Sequence, residues 1–252
     1  MNRFCRSMNT RGFPDFKLHL AQSLANGTPY VNRNVDEDDS VEAYTGKIFE
    51  SAMASLDHVR QSLDKSAVNR AVDLLTQAKK IAFWAVKLTP PDKIAFFGLG
   101  SSAAVAHDAM NKFFRFNVPV IYSDDIVLQR MSCMNCNDDD VVVLISHTGR
   151  TKSLVELAQL ARENDAMVIA LTSAGTPLAR EATLAITLDV PEDTDIYMPM
   201  VSRLAQLTVI DVLATGFTLR RGAKFRDNLK RVKEALKESR FDKELLIRSD
   251  DR

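Results

Sequence analysis

At 252 residues the chain is long enough for one large domain or a medium domain with a small appendage, and at 46% hydrophobic and 26% charged it is neither a fibre, a mini-scaffold nor a disordered chain. Its 33 basic and 33 acidic residues leave no net charge, which excludes a uniformly basic nucleic-acid coat. No apolar run approaches the roughly 20 residues of a membrane helix, no leader pattern opens the chain, and Cys5, Cys133 and Cys136 are too few for a secreted disulfide framework, so a cytoplasmic setting is expected.

The charge is unevenly spread. Up to residue 33, Arg3, Arg6, Arg11, Lys17 and Arg33 face Asp15 alone, a surplus of +4 that the rest of the chain offsets. Short helices are expected over 2–8 and 16–24, broken by Gly12-Phe13-Pro14-Asp15, with Asp15 able to cap the second. Asn26-Gly27-Thr28-Pro29 closes this head, and Asp36-Glu37-Asp38-Asp39 marks a self-repelling acidic linker that is expected to stay exposed.

Beyond the linker, 43–62 and 65–79 carry apolar residues three and four apart, among them Ile48, Ala52, Leu56 and Val59, and read as amphipathic helices. The period then changes. Residues 93–97, 118–122, 141–145, 167–171 and 184–188 are short apolar runs without polar alternation, as in strands covered on both faces. Helical stretches over 101–116, 124–134, 151–164 and 177–182 separate them, and 200–217 and 224–238 follow. That alternation predicts an α/β fold, a doubly wound five-stranded parallel sheet with helices on both faces. Residues 84–93, with Pro90-Pro91, read as a small insertion or duplication ahead of the first strand.

Ligands of open parallel sheets bind at the carboxyl ends of the strands, where loops lead into helix N-termini. Two loops of suitable chemistry stand there: Gly98-Leu99-Gly100-Ser101-Ser102 and Ser146-His147-Thr148-Gly149-Arg150-Thr151. Glycine permits close backbone approach, small hydroxyls donate, and the helix dipole favours an anion, so a phosphate is the natural occupant. The first loop also fits a weak dinucleotide fingerprint, for which Asp124 or Asp125 could read a ribose, whereas the Lys-Ser or Lys-Thr of a Walker loop is missing.

Gly-x-Gly-Ser-Ser followed 44 residues later by Ser-His-Thr-Gly-Arg-Thr resembles the SIS (sugar isomerase) domain, and the resemblance spans residues 43–241. It implies a five-stranded phosphosugar-binding sheet in which Ser102, with Gly100 and Ser101 beside it, and Ser146, Thr148 and Thr151 hold the phosphate. Backbone N–H groups near His147 and Gly149 would complete the cradle, with Arg150 capping and orienting. The head, Asn2-Arg3-Phe4-Cys5-Arg6 with 12–21, is similar to the last part of the helix-turn-helix of RpiR-type transcription regulators. In that family the stretch matching Arg3 and Arg6 belongs to the recognition helix. The resemblance therefore divides the chain into an incomplete helix-turn-helix over 1–30, an acidic linker over 31–42, the SIS domain over 43–241 and a tail over 242–252.

What the resemblance implies is a DNA-binding regulator, not an enzyme, that forms a homodimer or higher homo-oligomer, reads operator DNA where its helix-turn-helix is complete, and senses a phosphosugar effector such as 2-keto-3-deoxy-6-phosphogluconate. No cofactor, metal or membrane partner is expected. Arg203 is a candidate for an effector carboxylate, since guanidinium pairs with carboxylate in bidentate fashion. The alternative is a phosphosugar isomerase of the same fold, which needs a base near the sugar protons. His107, His147, Glu156 and Glu181 are its candidates, and no acid–base pair stands out among them. Cys133 and Cys136 have redox or half-zinc spacing, but are expected to be reduced thiols near a helix end. Met131, Met134, Met198 and Met200 are expected to fill packing gaps, and the basic run Arg220, Arg221, Lys224, Arg226, Lys230 and Arg231 to form a solvated face or a subunit contact.

Overall fold

The computed structural model describes residues 34–76 and 93–237. Arg3, Arg6, the two helices expected in the head, nearly all of the 84–93 stretch and the 242–252 tail lie outside the described residues. The chain parts into two units, one running to Ser62 together with Asp189–Ala205, the other made of Leu63–Leu188 and everything from Gln206 on.

The first unit is dominated by α1 (Val41–Ser62), which starts at Ser40, whose Oγ accepts the Ala43 N–H at 3.2 Å. Only Ser55 and Val59 of this helix are buried. The acidic stretch ahead of it is not the free run that its charge suggests. Lys47 reaches back to Asp39 at 2.7 Å and to Asp36 at 2.9 Å, and the Asp39 side chain is nearly covered, because one cation between two carboxylates relieves their repulsion.

The second unit is the sheet and its helices. In chain order they are α2 (Lys65–Thr76), β1 (Ile94–Gly98), α3 (Ser101–Phe114), β2 (Val120–Ser123), α4 (Ile126–Met134), β3 (Val141–Ile145), α5 (Lys152–Glu163), β4 (Met167–Thr172), α6 (Pro177–Glu181) and β5 (Leu184–Thr187). Two further helices are α7 (Val201–Arg220), whose first five residues fall in the first unit, and α8 (Gly222–Lys237). The left-handed φ of +77° at Gly222 separates these two helices. All strand pairs are parallel, in the order β2-β1-β3-β4-β5.

Burial along the strands follows position in that order. β1 and β3 are buried at every residue and β4 at all but its first, as continuous apolar runs predict. β2 is only half-buried throughout and β5 alternates, so the expectation of two covered faces fails at the two edges, where a strand has one neighbour instead of two.

The two faces differ in filling. One side of β1 and β3, with Ala95, Phe97, Val142 and Leu144, packs with Cys133, Leu154, Leu157, Ala158 and Leu178 from α4, α5 and α6. On the other side Phe96 meets Phe113 of α3 at 5.1 Å between ring centroids. Phe113 in turn meets Phe217 of α7 at 5.5 Å, and Phe116 stacks on Phe217 at 5.0 Å. Gly216 lets α2 approach α7, since a Cβ there would stand 2.7 Å from Val72. Phe225 joins the ring cluster, and Arg221 lies over the Phe217 and Phe225 rings at 5.6 and 5.3 Å. Arg220 is held by Asp73 and Asn69. Of the first two members of the basic run, Arg220 is exposed but paired and Arg221 is half-buried against the rings, because α7 ends beside α2 and the aromatic cluster.

At the amino-terminal edge of the sheet Lys93 donates to Asn135 O at 2.8 Å and pairs with buried Asp140 at 3.1 Å. Hydroxyls and glycines crowd the opposite edge.

Candidate functional site

β1 and β3 are central neighbours, with Gly98 opposite Ile145, so the two loops that follow them emerge side by side. This is also where the chain switches direction across the sheet, β2 lying beyond β1 and β4 beyond β3. Gly98, Gly100, Ser101 and Ser102 thus share one sheet end with Ser146, His147, Thr148, Gly149 and Thr151.

In the first loop Gly98 is required by space, since a Cβ would come within 2.6 Å of Ser102 O. Gly100 takes a φ of +57° and turns the chain into α3, where Ser102 is buried in the first turn. In the second loop buried Ser146 accepts the Gly149 N–H on its Oγ at 3.2 Å. A hydroxyl used as acceptor keeps its own proton to donate, which suits an anion. Thr148 Oγ1 accepts the Arg150 N–H at 3.4 Å, and Arg150 itself is exposed.

The helices on this edge start in two ways. Asp125 caps α4 by accepting the Leu128 N–H, and Thr176 caps α6 by accepting the Ala179 N–H. Neither α3 nor α5 has a side-chain cap at its first turn. The two helices that follow the candidate loops are those whose N-terminal dipole no side chain of the loop neutralises.

Two supporting groups escaped the sequence reading. Gln129 of α4 is fully buried, and its Nε2 donates to Ser123 O at 2.7 Å and Gly98 O at 3.4 Å, tying the ends of β2 and β1 together. Its one signal was a polar residue inside the apolar run Ile126-Val127-Leu128-Gln129-Arg130-Met131. The second group is the loop after β4. Ser173 Oγ donates to His147 O at 2.7 Å, Leu178 N–H to Gly149 O at 3.1 Å, and a Cβ on Gly149 would lie 2.3 Å from Thr176 Oγ1 and 2.5 Å from Thr172 Oγ1. Thr172-Ser173-Ala174-Gly175-Thr176 has the same hydroxyl and glycine character as the other two loops, which was the available cue.

The remaining candidates do not gather. His107 is exposed on α3, its ring 4.9 Å from Tyr122. Glu156 pairs with Arg130 at 3.3 Å and Glu181 with Arg162 at 3.8 Å. Asp125 is spent on its cap rather than presented for a ribose. Arg203 belongs to the first unit, exposed in the first turn of α7. There Glu192 accepts the N–H groups of Met200, Val201 and Ser202 at 2.7 to 3.1 Å. Burial alone would raise its pKa, but the hydrogen bonds from Ser202, Met200 and Val201 outweigh that and hold the carboxyl below its ordinary range. Burial pushes the Cys133 thiol up to about 12 and raises Cys136 as well, so neither resembles an activated redox thiol. Met131, Met134 and Met198 are more than half exposed and fill no gap in this chain; α4 turns its first two outward.

The SIS domain family matches residues 87–216, a span that contains both loops. Over its whole length the chain is 89% identical to the HTH-type transcriptional regulator HexR of Escherichia coli (strain K12), covering 83% of that protein. The chain belongs to the RpiR-type HexR regulators. Another HexR, from Pseudomonas aeruginosa, is 53% identical over 96% of the chain and 80% of its own length. These relatives are regulators and not enzymes, which sets the isomerase alternative aside. Among solved structures, the Vibrio vulnificus NanR protein complexed with ManNAc-6P shares the fold at a TM-score of 0.68 and 22% identity, over 95% of this chain and 81% of that one. Among the described residues no helix is long and apolar enough to cross a membrane.

Proposed function

We propose that this HexR-type regulator senses a phosphosugar in the cradle between the β1 and β3 loops, and that the occupied cradle alters how paired copies read DNA. The observation that carries this reading is the pair of adjacent loops, each rich in hydroxyls and glycine, each leading into a helix without a side-chain cap. Gly100, Ser101 and Ser102 line one side; Ser146, His147, Thr148, Gly149 and Thr151 line the other. A dianion there accepts hydrogen bonds from hydroxyls and backbone N–H groups and meets two helix dipoles.

The effector we favour is 2-keto-3-deoxy-6-phosphogluconate, whose carboxylate at the far end from the phosphate gives Arg203 a partner. The SIS domain covers 43–241, Arg3 and Arg6 of the 1–30 head contact operator DNA, 31–42 links the two, and the chain acts as a homodimer without a cofactor. An effector changes the DNA affinity only if it binds one arrangement of the pair more tightly than another.

Calorimetric titration with 2-keto-3-deoxy-6-phosphogluconate, 6-phosphogluconate and inorganic phosphate tests this. Ser102→Ala and Ser146→Ala are each expected to weaken binding by about 1–3 kcal/mol, the range for hydrogen bonds to a charged group. Unchanged affinity in both variants refutes the cradle. Loss on Arg203→Ala for the keto acid but not for inorganic phosphate assigns the carboxylate, and equal losses refute that assignment.

A further inference from the structure

The first unit holds a cavity of about 300 Å³ between α1 and the irregular segment from Val190 to Val201, and all of its lining residues belong to that unit. None of the residues assigned to the phosphate cradle lines it. His58 of α1 pairs with Asp189, 3.2 Å away and just ahead of the segment, and within the segment the Tyr197 N–H donates to Asp193 O at 2.9 Å.

Three side-chain hydroxyls line this space. Ser51 and Ser55 stand four residues apart on one side of α1, and Tyr197 comes from the segment. None of these three hydroxyls makes a hydrogen bond among the described residues. Ser55 is the telling case, because only 9% of it is exposed. A hydroxyl drawn out of water calls for a partner, and an occupant of the cavity it lines supplies one.

Charge on the walls narrows the chemistry. Glu192 and Asp193 line the cavity, and among the described residues no lysine, arginine or histidine does, so phosphate and carboxylate ligands are repelled. A cation gains little. Glu192 already directs its charge at the N–H groups of Met200, Val201 and Ser202, and Asp193 is exposed to water. What remains is a set of hydroxyls able both to donate and to accept, beside the buried side chains of Val190 and Val201 and the Tyr197 ring. A neutral polyol ring carries the matching combination, with hydroxyls on its rim and C–H groups on its faces.

We propose that this cavity is a second ligand site, and that it takes a neutral sugar or cyclic polyol of monosaccharide size. The volume lies at the small end of ligand pockets, which leaves no room for a nucleotide or an oligosaccharide. Glu192 holds the first turn of α7, and Val201 opens that helix, so the occupant touches the point from which α7 starts. The site does not depend on the proposed phosphosugar sensing.

Saturation-transfer NMR titration of the whole chain with D-glucose and myo-inositol provides the test. Transfer to at least one of these neutral probes is expected, with D-glucuronate, a sugar ring bearing a carboxylate, bound about ten-fold more weakly. Ser55→Ala is expected to weaken binding about five-fold or more, and Ser51→Leu, which fills the space, to abolish it, both with an unchanged circular dichroism spectrum. Inorganic phosphate is expected to leave the bound probe in place. No transfer to either neutral probe, equal affinity for D-glucuronate, or unchanged affinity in Ser55→Ala overturns the proposal. Displacement by inorganic phosphate also overturns it, because the sugar would then occupy the cradle. If the neutral probe binds as expected while 2-keto-3-deoxy-6-phosphogluconate does not, this site stands and only the sensing function falls.

Discussion

Gly149→Ala tests whether the β4 loop fixes the shape of the second candidate loop. Gly149 is buried with a φ of +58°, where an added Cβ costs about 1–2 kcal/mol in any surroundings. The same Cβ would stand 2.3 Å from Thr176 Oγ1, 2.5 Å from Thr172 Oγ1 and 2.6 Å from Thr176 Cβ. Neither threonine can step aside freely. Thr172 is buried at the end of β4, and Thr176 caps α6 while donating to Ser173 O at 3.0 Å. Overpacking of this kind adds about 1–3 kcal/mol, for a total of about 2–5 kcal/mol. Gly175→Ala is the control, since Gly175 has a φ of +70° and a Cβ added there would meet no other heavy atom within 4 Å, and it should show the backbone cost alone. Urea unfolding at neutral pH measures both, and the difference between them isolates the contact with the threonines. The reasoning is refuted if Gly149→Ala is no more destabilising than Gly175→Ala.

Gln129→Ala removes the donor shared by Gly98 O and Ser123 O; a stability loss of about 1–3 kcal/mol is expected in thermal unfolding, together with weaker effector binding, because the first loop loses its tie to β2. Glu192 has a folded pKa below its ordinary value near 4.5, so its contribution is complete above that pH and is lost as pH falls through the folded value. Glu192→Gln should accordingly lower stability at pH 7 and flatten its acid decline below about pH 4.5, and an acid limb identical to that of the native chain would contradict this. With its thiol pushed up to about 12, Cys133 should resist iodoacetamide at pH 8 in the folded chain and react once unfolded, as peptide mass spectrometry would show.

The candidate loops could be read without coordinates because their chemistry is local. Glycines and hydroxyls directly after Phe97 and after Ile145 mark a strand end that leads into a helix, whatever the rest of the chain does. The central strands were legible for a related reason, as a segment buried on both sides needs apolar residues at every position. Edge strands obey a weaker rule, and the half-exposed β2 and alternating β5 depart from the expectation accordingly. Gln129, Thr172 and Thr176 were not legible. A glutamine in an apolar helix becomes a tie only when that helix lies beside the ends of β1 and β2, and two threonines become a wall only when the loops after β3 and β4 are neighbours. The outward methionines of α4 were misjudged for the same reason, since composition does not say which side of a helix meets the sheet.

By itself, then, the amino-acid order determined the alternation of elements, the parallel sheet and the two anion-suited turns, all of which follow from periodicity and backbone freedom over a few residues. Tertiary structure alone decided that β1 and β3 are neighbours, that Gln129 and the threonines support the turns, and that α4 presents its apolar side outward. Those relations join residues 20 to 50 positions apart, and only the packing of helices onto a sheet of specific strand order brings them together.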